Sequence, residues 1–288
     1  MTDTELIRRI EQALGARLEA VDSLPVGFGL TGIAGELSDG RKVAVKAGAG
    51  QAQQDLTLEA FMLAALRRES DLPVPEVYFA APDLLVMAYV ENDGGGITAP
   101  AERHAAELIA ALHAAPRSTF GYERDTRIGP LPQPNPPSDN WIPFFRDQRL
   151  LAMAQAARLE GRLPGAYLAR IEALASRLEE HLLEPRFPSL LHGDLWTGNV
   201  LVRNERIAGF LDPAIYFGHP EIELAFGTLF GTFGAAFFDA YEALMPLEPG
   251  FHEERCGIYN LYPRLVHLTL FGSGYLGGID GTLRRLRF

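Results

Sequence analysis

The sequence predicts an α+β fold of two lobes, a small β-rich N-terminal lobe over residues 1–91 and a larger α-helical C-terminal lobe over residues 92–288. Three observations carry this. In the first third of the chain, short apolar runs flank the turn-forming pairs Asp39-Gly40 and Pro82-Asp83. Beyond residue 100, apolar side chains recur at helical spacing. Between the two patterns, Gly94, Gly95 and Gly96 make a flexible joint, which places the lobe boundary near residue 92.

Taken in order, residues 4–20 carry Leu6, Ile10, Ala13, Leu14 and Leu18 at helical spacing and predict a first helix. IAGELSDGRKVAVKAG predicts two antiparallel strands around the Asp39-Gly40 turn. DLTLEAFMLAALRR contains no helix breaker and predicts a second helix. VPEVYFA and DLLVMAYV predict two more strands. Residues 101–115 predict a helix, followed by a proline-rich loop, IGPLPQPNPPSDN. Two further helices are expected in WIPFFRDQRLLAMAQAARLE and GAYLARIEALASRLEEHLLEP, separated at Gly161 and Pro164. LLH, VLV and RIAGFLDPA read as short β segments, and residues 221–245 and 252–276 as closing helices.

Composition narrows the partners. The 26 Lys+Arg against 37 Asp+Glu leave a net charge of −11, which gives no electrostatic footprint for nucleic acid or an anionic membrane. The longest uncharged run, residues 224–238, is broken by glycines and falls short of the ~20 apolar residues a bilayer requires. Cys256 has no internal disulfide partner, nothing around it marks a nucleophile, and the charged N-terminal stretch lacks the apolar core of a signal peptide. A cytoplasmic protein is expected, of open oligomeric state.

The chemistry gathers in LLHGDLWTGNVLV. Asp194 and Asn199 stand five positions apart, and Asp212 follows thirteen later. Carboxylate, amide and carboxylate form a hard-oxygen set. Magnesium takes one or two protein carboxylates beside water and phosphate oxygens, which suits Asn199 and Asp212 and leaves Asp194 as a proton acceptor. Either Asp194 or Asn199 alone is equally an Asx turn. The order His192-Gly193-Asp194, Asn199, Asp212 reproduces the catalytic-loop and metal-aspartate spacing of kinases. Upstream, Gly27, Gly29 and Gly32 form G-x-G-x-x-G before a hairpin, the context of a loop lying over phosphates. VAVK places Lys46 against the phosphates with Glu59 as its ion-pair partner, although an ordinary edge strand and surface glutamate read the same way. LLVMAYVEN ends at the expected lobe joint, which predicts adenine contacts from backbone of Ala88, Tyr89 and Val90 with Met87 at the back of the pocket, although a plain core strand reads the same way.

LLHGDLWTGNV, DPAIYFGHPEIELAF, NWIPFFRDQRL and PLEPGF with LYPRLVHLTLFGSGYL resemble the fructosamine kinase (ketosamine 3-kinase) family. That family lies in the aminoglycoside-phosphotransferase-like branch of the bilobal protein-kinase-like fold, and the resemblance covers nearly the whole chain. It implies ATP- and Mg2+-dependent phosphorylation of a ketosamine at its 3-hydroxyl, the acceptor being a ribulosamine, erythrulosamine or fructosamine adduct, free or protein-bound. A role in protein deglycation follows from it. Carried over, Asp194 is the proton acceptor, Asn199 and Asp212 the metal ligands, Lys46 and Glu59 the phosphate-side pair, and Ala88 to Val90 the hinge. Trp196 becomes a wall of the acceptor pocket, His192 and Glu223 brace the loop, and Tyr216, His219 and His267 either line the pocket or pack. The hinge departs from the family where a frequent glutamate is Ala88. Kinases of aminoglycosides, choline, methylthioribose or homoserine, and a nucleotide-binding pseudokinase scaffold, are the competing readings.

Overall fold

A computed structural model describes residues 3–48 and 55–288. Helix α1 (Asp3–Leu14) stops at Gly15, whose φ of +66° is a left-handed helix-ending conformation. Leu18 therefore opens strand β1 (Leu18–Leu24), where the periodicity predicts helix to residue 20. Strands β2 (Leu30–Leu37) and β3 (Lys42–Gly48) flank the Asp39-Gly40 turn, where Gly40 has φ +85°. Helix α2 (Leu56–Glu69) is capped by Asp55, which accepts from Thr57 N at 3.0 Å. Strands β4 (Val77–Ala81) and β5 (Leu84–Ala88) complete an antiparallel sheet of order β1-β2-β3-β5-β4. Because side chains alternate along β3, Val43 and Val45 pack with Leu6 and Ile10 of α1, while Lys46 points to the other face.

Helix α3 (Ala99–His113) begins the larger lobe. The expected proline-rich loop contains a small hairpin, β6 (Thr126–Ile128) and β7 (Leu131–Gln133). Helices α4 (Trp141–Phe145) and α5 (Ala152–Leu159) continue each other through a π-type turn over residues 146–151, and α6 (Gly165–Ala175) packs against them. The motif region supplies β8 (Ser189–Leu191), β9 (Val200–Arg203), β10 (Arg206–Phe210) and β11 (Tyr216–Gly218), with β8 paired to β11 and β9 to β10.

The helix expected over residues 221–245 is two helices, α7 (Pro220–Gly227) and α8 (Ala235–Leu244). Phe230 and Gly231, with φ of +59° and +65°, break the path between them. The second expected helix, over residues 252–276, is a π-type turn over residues 251–255 followed by α9 (Cys256–Tyr259) and α10 (Leu261–Phe271); Gly272 at φ +94° ends it, and a further helix, α11 (Leu276–Arg285), lies almost wholly beyond the expected span. Among the described residues no helix is long and apolar enough to cross a membrane. A continuous core runs from α2 and β5 through Trp141, Phe145 and Tyr259 to α10, so the lobes share apolar packing behind the cleft that separates them.

Candidate active site

A cleft of about 840 Å³ opens between the lobes, lined among others by Gly27, Lys46, Glu59, Met87, Asp194, Trp196, Asn199, Asp212 and His267. Lys46, 8% exposed, lies between two carboxylates: Nζ donates to Glu59 Oε1 at 2.7 Å and to Asp212 Oδ1 across the lobe boundary. Burial opposes its charged form, but Asp212 and Glu59 outweigh burial and hold the ammonium above its ordinary value. Burial pushes the Glu59 carboxyl up despite Lys46, and the Asp212 charge adds to the rise. Asp212 itself adopts φ +51°, a strained backbone that aspartate tolerates better than most residues.

The catalytic-type loop is held from below by one buried carboxylate. Glu223 Oε1 accepts from Gly193 N at 2.6 Å, and Oε2 accepts from His192 N at 3.2 Å and from His113 Nε2 at 2.8 Å. Burial alone would raise this carboxyl, but His113, His192 and the Gly193 N–H hold it below its ordinary value. Gly193 has φ +85°, and a methyl group there would collide with the Ala214 carbonyl. His192 accepts from Asp194 N at 3.4 Å and is kept neutral by burial. Asn199 Nδ2 donates to both the backbone and the Oδ2 of Asp194 at 2.9 Å, which turns its Oδ1 away from Asp194. Half-buried Asp194 is pushed up to about 7, chiefly by burial against the pull of Asn199, with Asp212 and Glu223 adding to the rise.

At the hinge, Ala88 N donates to Glu76 O at 2.8 Å and Tyr89 N to Lys42 O at 3.0 Å. Those two N–H groups are engaged in the sheet. The Val90 N–H has no partner among the described residues, so it is the hinge donor that remains available. Gly27 and Gly29 form the loop between β1 and β2, whereas Gly32 sits inside β2. A side chain at Gly32 would collide with the Leu24 carbonyl, so this glycine serves close strand approach rather than phosphate contact. The loop tip, Phe28, reaches across the cleft to stack on Phe271 with ring centroids 6.2 Å apart.

Trp196 and His267 face the cleft beside Asp194. Gly198 leaves room for the Trp196 ring, which meets Phe230 edge-on at 5.8 Å. His267 donates from Nδ1 to Pro263 O at 2.7 Å, and burial pulls it below its ordinary value. Of the two readings of Tyr216 and His219, as substrate-pocket residues or as packing, the second holds: neither lines the cleft and both are buried. Tyr216 is 1% exposed, and its ring carries the Arg149 guanidinium at 3.9 Å. His219 caps α7 by accepting from Glu221 N at 3.1 Å, and burial lowers it to about 3. The following Glu221 pairs with Arg255 through two 2.7 Å bonds. GHPE is therefore a helix start with a buried ion pair.

Sequence reading missed the polar brace under Asp212. Gln133 Nε2 donates to Ala214 O at 2.9 Å, Thr126 Oγ1 to Ile215 O at 3.1 Å, and Tyr262 OH to Gln133 Oε1 at 2.7 Å. Fully buried Arg149 closes the set through Asn135 Oδ1 at 2.6 Å and Pro134 O at 2.7 Å. Thr126, Gln133 and Asn135 flank or sit among prolines, which reads as loop. The clue lay in Arg149, a charge inside an apolar helical run.

A two-lobed α+β chain with this lysine pair, loop and hinge is an ATP-dependent phosphotransferase of the protein-kinase-like fold, acting on a hydroxyl group. The chain belongs to the fructosamine kinase family, whose sequence profile matches residues 2–287. It is 34% identical over 279 residues to a Synechocystis protein named "Probable ketoamine kinase", covering 94% of this chain and 92% of that one. It is 33% identical over 246 residues to the chloroplastic protein-ribulosamine 3-kinase of Arabidopsis thaliana, covering 80% and 72%. A fructosamine-3-kinase-like crystal structure from Thermobifida fusca superposes with a TM-score of 0.89 at 31% identity over 100% of both chains. An aminoglycoside phosphotransferase solved with AMP-PNP and hygromycin B shares the fold, with a TM-score of 0.70 at 18% identity and 98% of both chains covered.

Substituting Glu223→Gln sets an amide N–H against backbone or histidine donors. Denaturant unfolding should show a loss of about 2–3 kcal/mol, the scale of a broken hydrogen bond to a buried charge. Unchanged stability would mean that this carboxylate does not hold the loop.

Proposed function

We propose that this protein transfers the γ-phosphoryl group of ATP to the 3-hydroxyl of a ketosamine, a ribulosamine, erythrulosamine or fructosamine adduct, and so contributes to protein deglycation. One observation carries the reading: Lys46, Asp194, Asn199, Asp212 and Trp196 converge on one cleft in a member of the fructosamine kinase family. The names of the Arabidopsis and Synechocystis relatives support the ketosamine acceptor.

In this mechanism the N-terminal lobe, residues 1–91, binds the nucleotide. Val90 N–H meets the adenine edge above Met87, and Lys46, steadied by Glu59, faces the phosphate oxygens. The C-terminal lobe, residues 92–288, supplies the chemistry. Phosphoryl transfer asks the protein mainly for positioning and charge neutralisation. Asp194 accepts the proton of the attacking hydroxyl, and Asn199 orients that carboxylate through its 2.9 Å hydrogen bond. Trp196 and neutral His267 wall the acceptor, and a protonated ketoamine over the indole gains about 0.5–2 kcal/mol.

The residues fit a magnesium ion. Asp55, Glu59, Asp194 and Asp212 line the cleft against the cations Lys46 and Arg127, so an incoming triphosphate adds negative charge to a site already rich in it. Asn199 Oδ1 and Asp212 are an oxygen pair of the kind magnesium takes when phosphates and water fill its other positions. Bound there, the ion would neutralise charge on the phosphate oxygens.

Because Asp194 must be ionised to act, kcat/KM for the acceptor should rise with pH through about 7 and then level off. A flat profile between pH 5.5 and 8.5 would remove Asp194 from the base role. The acceptor itself is tested by offering ATP with ketosamines of four, five and six carbons beside an aminoglycoside, choline and homoserine. Turnover with at least one ketosamine, phosphorylated at the 3-hydroxyl, is the expected result; turnover with another alcohol alone would refute the acceptor.

A further inference from the structure

We propose that Arg264 and Arg285 form a phosphate-binding site on the C-terminal helices, distinct from the catalytic cleft. The two residues lie on α10 and α11 and are absent from the cleft lining. Each guanidinium is laid over a glycine of a neighbouring helix. A methyl group on Gly278 would collide with Arg264, and one on Gly257 with Arg285. Burial pulls Arg264 below its ordinary value against the attraction of Cys256, which lies near both arginines, and repulsion from Arg285 adds to the fall.

Neither arginine has a carboxylate, hydrogen-bond or ring partner among the described residues, and the buried Nε of Arg264 finds no acceptor there. Helices α9 and α10 contain no acidic residue. The single acid of α11, Asp280, is already shared by Arg170 at 2.7 Å and Arg284 at 2.9 Å. In a chain of net charge −11, two guanidiniums near enough to repel each other, with only the Cys256 thiol beside them and one of them half-buried, are an arrangement that costs free energy unless an anion joins it.

Two planar forks that bring two positive charges match a phosphate group, which carries a charge of about −1.5 to −2 at neutral pH and takes bidentate arginine contacts. A monocarboxylate would leave one charge uncompensated. The phosphate would bridge α10 to α11. Since α10 also carries His267 and Phe271, occupancy would stiffen the acceptor side of the cleft.

The test is thermal unfolding of the full chain, titrated with inorganic phosphate and with ribose 5-phosphate at ionic strength matched with chloride. A saturable rise of about 2–3 °C at ten times the dissociation constant is expected. It should persist in Lys46→Ala, which weakens any phosphate binding in the cleft. It should vanish in Arg264→Gln and in Arg285→Gln, the second lying at the surface where substitution leaves the core untouched. A stronger response to the ester assigns the site to phosphorylated small molecules, and equal responses assign it to the free ion. No rise beyond chloride, or a rise lost in Lys46→Ala yet kept in Arg285→Gln, overturns the proposal.

Discussion

Lys46 between Glu59 and Asp212 is the interaction on which the site depends. It joins β3, α2 and the segment after β10, and so spans both lobes with one ammonium. The lysine is nearly buried, and removing Glu59 would leave its charge poorly compensated in a low-dielectric setting, where breaking a buried pair costs ~3–5 kcal/mol. The Asp212 side chain is 47% exposed and the Glu59 side chain 15%. The partner on α2 is thus fixed, while the partner on the catalytic side stands at the cleft surface. Such a pair fixes Lys46 in the cleft, and in the proposed mechanism it leaves Asp212 free to exchange partners when a nucleotide arrives.

Around this bridge the protein uses buried polar groups to fix backbone. Glu223 gathers two consecutive N–H groups of the loop, and Gln133 and Thr126 gather two consecutive carbonyls of the segment after Asp212. The loop and that segment are also tied to each other, through Ala214 N to His192 O at 2.8 Å and Leu211 N to Asn199 O at 2.9 Å. Hydrogen-bonded buried groups of this kind rigidify a frame, because each unpaired member carries a desolvation cost of ~1–3 kcal/mol, and Arg149 Nε and His192 Nε2 are the atoms of this frame left without a partner among the described residues. Asp194 and Asp212 consequently project from a frame with little freedom, which phosphoryl transfer requires.

Much of this was legible in the sequence. The five strands of the N-terminal sheet are local hairpins or short apolar runs, and all but β1 were readable from turn pairs and alternation. Strand β1 was hidden by leucines that also fit the preceding helix, and only Gly15 marked the boundary. The helices after residue 220 looked continuous because their breaks depend on left-handed backbone at Phe230 and Gly272, and neither residue disrupts the apolar pattern. For the site, motif spacing brought Lys46, Glu59, Asp194, Asn199 and Asp212 to one cleft. Tyr216 and His219 stay ambiguous in the sequence because aromatic and imidazole side chains serve pockets and cores alike, and only burial by Arg149, Trp141 and Tyr259 separates the two. The brace from Gln133 and Thr126 is long-range, and no local pattern announces it.

In the proposed mechanism Asp194 acts on the acceptor from a frame that binds nucleotide independently of it. Comparing Asp194→Asn with the parent protein, by nucleotide affinity and by turnover with a ketosamine and ATP, tests it most directly. Nucleotide affinity within about twofold of the parent and turnover reduced at least ~10²-fold, the scale of losing a general base, are expected. Turnover equal to that of the parent protein would contradict it.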